Sequence, residues 1–118
     1  MKLKEINGVK IVNDEVEALS HILDGNQVAR FEYGDSMSPI LDNGEYAVLT
    51  PIQDYNDIQI GDAVFCEVNG VLMTHMVWLI SDSSYGVKLF LIGSSQGNLY
   101  GWTNLVYAKA KGTKIFEK

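Results

Sequence analysis

The dipeptide Asn69-Gly70 stands between two apolar runs, DAVFCEV (62–68) and VLMTHMVWLI (71–80). Both residues tolerate positive φ, so the pair favours a two-residue type I′ hairpin turn, and a loop of that length fixes how the flanking strands meet. Val68 then faces Val71, and counting back along the strands sets Val64 opposite His75.

The same punctuation continues in both directions. From Gln27 onward, short apolar runs (VARFEY, EYAVLTPI, DAVFCEV, VLMTHMVWLI, VKLFLI and LVYAKAK) are separated by Gly, Asn and Asp, which predicts a mainly β fold. Ahead of them, residues 13–24 (NDEVEALSHILD) predict a helix. Asn13 can cap it, Asp14 and Glu15 suit its positive end, Val16, Leu19 and Leu23 recur on one face, and Gly25 stops it. The polar stretches SDSSYG (81–86) and GSSQGNLYGWTN (93–104) read as loops between strands. The 118 residues show no repeat and no linker, so residues 1–118 are expected to form one domain around a single hydrophobic core.

Composition narrows the function. The chain is 47% hydrophobic and 20% charged, which suits a folded globular protein. Nine Lys and Arg against fifteen Asp and Glu leave a net charge of −6 with no basic stripe, so direct nucleic-acid binding is not expected. The one cysteine, Cys66, has no intramolecular partner and lies in an apolar strand, which reads as a buried thiol in a reducing, cytoplasmic setting. The N-terminal segment lacks the apolar stretch of a secretory signal, and no run approaches the roughly 18 apolar residues of a membrane span, so no membrane anchor is expected. His21, His75 and Cys66 lack zinc-ligand spacing and no phosphate-binding loop occurs, so neither a metal nor a cofactor is expected.

The chemistry-bearing stretch is GDSMSPILDNGE (34–45). Pro39 fixes one φ and biases Ser38 toward an extended conformation, and Asp42-Asn43-Gly44 makes a turn before the strand EYAVLTPI. Ser36 therefore lies on a short, stiff connection. Either Ser36 or Asp35 caps a helical turn at 37–41, or Ser36 is a nucleophile, and a hydroxyl becomes one only beside a base. No lysine occurs between Lys10 and Lys88, which leaves His75 in mid-strand as either a satisfied half-buried residue or that base. Trp78, Tyr100, Trp102 and Tyr107 either line a peptide groove or pack the core and its rim.

Three segments in order carry a resemblance. Gly34-Asp35-Ser36-Met37-Ser38-Pro39 with the turn and strand at 42–48, then Ile60-Gly61-Asp62-Ala63-Val64, then Thr74-His75, resemble the boxes of the LexA-like repressor and signal peptidase superfamily. Leu105 to Gly112 is similar to its closing strand, so the resemblance covers about residues 30–112. It implies a coiled antiparallel β fold and a soluble serine endopeptidase acting on a peptide or protein. Ser36 would be the nucleophile and His75 the general base, with Asp35, Met37 and Ser38 forming the nucleophile and oxyanion loop. The family's box that supports the base corresponds to residues 93–98, where Ser94, Ser95 and Asn98 are the polar groups and no acid occurs. Met76 stands where histidine-using relatives commonly carry arginine. These departures define the alternative, an inactive peptidase fold acting in protein binding or assembly, of phage or mobile-element origin. In either case exposed strand edges permit pairing with a partner or with a second copy in a homodimer.

Overall fold

The computed structural model describes residues 5–6, 8–31, 36–37, 41, 44–82 and 85–113. A small hairpin of β1 (Glu5–Ile6) and β2 (Val9–Lys10) is followed by helix α1 (Glu15–Leu23), and then by seven strands. These are β3 (Val28–Phe31), β4 (Tyr46–Pro51), β5 (Ala63–Val68), β6 (Val71–Asp82), β7 (Lys88–Gly93), β8 (Leu99–Thr103) and β9 (Val106–Thr113). They form one sheet in the order β3-β4-β9-β5-β6-β7-β8, with every neighbouring pair antiparallel. The protein is thus mainly β with one short helix near its N-terminus.

The hairpin has the expected register, Val68 facing Val71 and Val64 facing His75. Asn69 and Gly70 take φ of 50° and 82°, the pair of positive values that a type I′ turn requires.

Elsewhere the structure corrects the sequence reading. Asp14, not Asn13, caps α1, its carboxylate accepting from the Val16 N–H at 3.0 Å. The buried stripe is Ala18 and Ile22, whereas Val16 and Leu23 are exposed. Small Ala18 gives the helix close access to the sheet, and docking on that side also lets Glu15 pair with Arg30 at 3.0 Å. The segment 93–104, expected as a loop, contains β8, which pairs with β7 through Phe90–Thr103 and Gly93–Leu99. Leu99, Tyr100 and Trp102 of β8 stay exposed, so backbone pairing rather than an apolar face makes it a strand. β6 likewise continues through Ser81 and Asp82, into the stretch expected as loop.

The interior divides in two rather than forming the single core expected. One cluster gathers Ala18 and Ile22 of α1 with Val28, Leu49, Met37, Leu41, Phe65 and Ala108. The other holds Val64, Cys66, Val68, Val77, Phe90, Ile92 and Val106. β5 serves both, Ala63 and Phe65 entering the first cluster and Val64, Cys66 and Val68 the second. That two-sided burial explains why DAVFCEV reads as a continuous apolar run instead of alternating. The sheet curls far enough for β8 to return against β5, where Thr103 Oγ1 donates to the Glu67 carbonyl at 2.6 Å.

Candidate active site

Ser36 is exposed on a turn whose neighbours are sunk in the first cluster. Met37 and Leu41 are both almost completely buried, and the Leu41 N–H donates to the Met37 carbonyl at 2.9 Å. Asp35 and Ser38, the other residues of the expected nucleophile loop, lie outside the described residues.

A second clamp comes from the β7–β8 connection. Ser95 donates to the Ser36 carbonyl twice, from its N–H at 2.9 Å and from its hydroxyl at 3.2 Å. The connection itself is built around fully buried Ser94, whose Oγ accepts from the N–H groups of Gln96 (3.3 Å) and Asn98 (3.1 Å). Its backbone N–H donates to the Asn98 carbonyl at 2.8 Å, and its carbonyl accepts from Trp78 Nε1 at 2.9 Å. Gly93 is required where this connection begins, because a Cβ there would stand 2.7 Å from the Asn98 carbonyl oxygen.

His75 is half-buried on β6, and its cross-strand partner Val64 puts it on the sheet face of the second cluster. Ser36 Oγ lies 3.3 Å from His75 Nε2, at the long end of a hydrogen bond. The other ring nitrogen, Nδ1, is buried with no hydrogen-bond partner among the described residues. Ser94, Ser95 and Asn98, the groups expected to support the base, therefore make no bond to Nδ1. They shape the connection that grips the serine turn. What lies against the imidazole is the ring of Tyr100, centroid to centroid 4.6 Å with the planes 53° apart.

Burial lowers the pKa of His75 from its ordinary value, so the neutral imidazole is the stable form near neutrality. In the tautomer that leaves Nε2 unprotonated, the neutral ring would accept the Ser36 hydroxyl proton, which is the arrangement a general base needs.

The pair opens onto a cleft of about 170 Å³ walled by residues 72–75 of β6 and by Glu15 and Arg30. The Glu15–Arg30 ion pair was not foreseen as part of this site, since the two residues lie on separate elements with no motif linking them. A larger groove of about 870 Å³ lies elsewhere, between Thr50–Pro51 of β4, the 3-10 turn Tyr55–Asp57 and residues 109–111 of β9. Its lining includes neither Ser36 nor His75, so the Ser36–His75 contact and not volume singles out the smaller cleft. Of the four aromatic residues weighed from sequence, Tyr100 packs against His75, Trp78 donates to the Ser94 carbonyl, Tyr107 donates to Glu67 Oε1 at 3.3 Å, and Trp102 is exposed.

Among the described residues, no group of three or more His, Cys, Asp and Glu side chains could hold a metal ion, and no helix is long and apolar enough to cross a membrane. In comparison with known proteins, the chain matches no family model, no curated protein and no solved structure.

Proposed function

We propose that the protein is a serine endopeptidase of the LexA and signal peptidase type that cleaves a peptide bond through Ser36 and His75. The observation that carries this reading is the 3.3 Å approach of Ser36 Oγ to His75 Nε2 at the mouth of a cleft. His75 Nε2 takes the Ser36 proton as Oγ bonds to the scissile carbonyl carbon, and backbone N–H groups of the serine turn stabilise the oxyanion. Collapse of the tetrahedral adduct breaks the C–N bond, and the proton passes from His75 to the leaving amine. Water, activated in turn by His75, then hydrolyses the acyl-serine ester and restores both groups. The substrate is a peptide or protein, and the setting is the reducing cytoplasm, in which the lone, buried Cys66 stays a thiol.

A phosphonylating probe for serine hydrolases tests the reading directly. Intact mass should show one adduct, mapped to Ser36, in the wild-type chain and none in Ser36→Ala. An unmodified wild type, or equal modification of Ser36→Ala, overturns it. The second reading, a binding or assembly module that keeps the fold without the chemistry, is favoured by one observation, the unpartnered Nδ1 of His75. It requires the unmodified outcome.

A further inference from the structure

Resting on the peptidase reading, we infer that Tyr100 is the positioning residue of the pair, its ring taking over the part that a carboxylate plays in a Ser-His-Asp triad. A triad acid does two things: it holds the imidazole in one orientation, and it offsets the positive charge that the ring acquires when it takes the serine proton. Nothing among the described residues bonds Nδ1 of His75, so neither task falls to a hydrogen-bonding group there. The charged groups of the cleft wall, Glu15 and Arg30, are committed to each other at 3.0 Å.

The fold aims Tyr100 at the base by a specific device. β7 and β8 slip register between Ile92 and Gly93, so Ile92 faces Gly101 and Gly93 faces Leu99, and Tyr100 is the extra residue between them. A bulge of this kind redirects a side chain out of the regular alternation. Here the redirected ring comes to 4.6 Å from that of His75. An aromatic face within about 6 Å of a cation attracts it, so the same contact that limits rotation of the neutral ring also stabilises the imidazolium that follows proton transfer. Packing does not account for the placement, because Tyr100 is 39% exposed and belongs to neither apolar cluster.

The test measures phosphonylation of Ser36 against pH in the full chain for wild type, Tyr100→Leu and Tyr100→Phe, alongside NMR of the His75 ring protons. Tyr100→Leu should lower the high-pH plateau of the rate by roughly tenfold, the loss of a partly desolvated cation–π contact, and Tyr100→Phe should stay within about twofold because the ring face remains. Wild type and Tyr100→Phe should share upfield-shifted His75 ring protons that Tyr100→Leu lacks. An unchanged plateau in Tyr100→Leu, or a displaced midpoint with the plateau intact, overturns the inference while leaving the peptidase reading in place. Unshifted His75 ring protons in the wild type overturn it too, even if Tyr100→Leu does not fold. A wild type unmodified at every pH overturns the peptidase reading, and this inference with it.

Discussion

Half-burial keeps His75 neutral near pH 7, because desolvation penalises the imidazolium and pushes its pKa below the ordinary 6.5. Reactivity of Ser36 should then be flat at and above neutrality and fall on acidification with a midpoint below 6.5, read from the pH profile of phosphonylation. The same shift touches stability with a definite sign. As pH falls past 6.5 the unfolded chain binds its proton first, so the fold loses stability until the native residue also titrates. Denaturant unfolding between about pH 7.5 and 5 should therefore show a shallower loss in His75→Gln than in wild type. At this scale, Ser36 and His75 could be singled out because their motifs are local and ordered along the chain. Tyr100 could be named only as one aromatic among four, since a bulge that turns it toward His75 leaves no mark in residue spacing. The choice of Asp14 over Asn13 as helix cap was equally hidden, both being good acceptors one position apart.

Among the elements, the β5–β6 hairpin was legible to the residue because the Asn-Gly turn dictates its register. The same dipeptide at Asn7-Gly8 precedes β2, and Ile6 pairs with Val9, yet flanks of two residues give no apolar alternation from which to read a strand. β8 escaped for a related reason: its sequence, LYGWT, leaves Leu99 and Trp102 exposed and follows a Ser- and Gly-rich connection. That connection links the sheet to the candidate site, since the Ser95 bonds hold the Ser36 turn and Gly93 lets the connection close. Gly93→Ala would press a methyl group against a backbone oxygen that cannot rotate away. It should cost about 1–3 kcal/mol in chemical denaturation, the range for an overpacked site, and slow modification of Ser36 as its clamp shifts.

Over the whole molecule, a mainly β chain of antiparallel strands was readable from punctuation, but its division into two apolar clusters was not. Division depends on which face of β5 meets which neighbours, and a strand buried on both sides looks uniformly apolar. Cys66 reports on this arrangement. It is fully buried, and burial pushes its thiol up to about 12, so alkylation requires opening of the second cluster. The alkylation rate should rise with denaturant as steeply as global unfolding does, which identifies the two clusters as one cooperative unit. A shallower dependence would show the second cluster opening alone. Ser36 and His75 belong to different sides of this division, the Ser36 turn being pinned by Met37 and Leu41 in one cluster and His75 facing Val64 of the other. Their separation thus works as a strain gauge across the seam: any ligand, partner or substitution that shears one half against the other changes the Ser36–His75 distance without touching either residue.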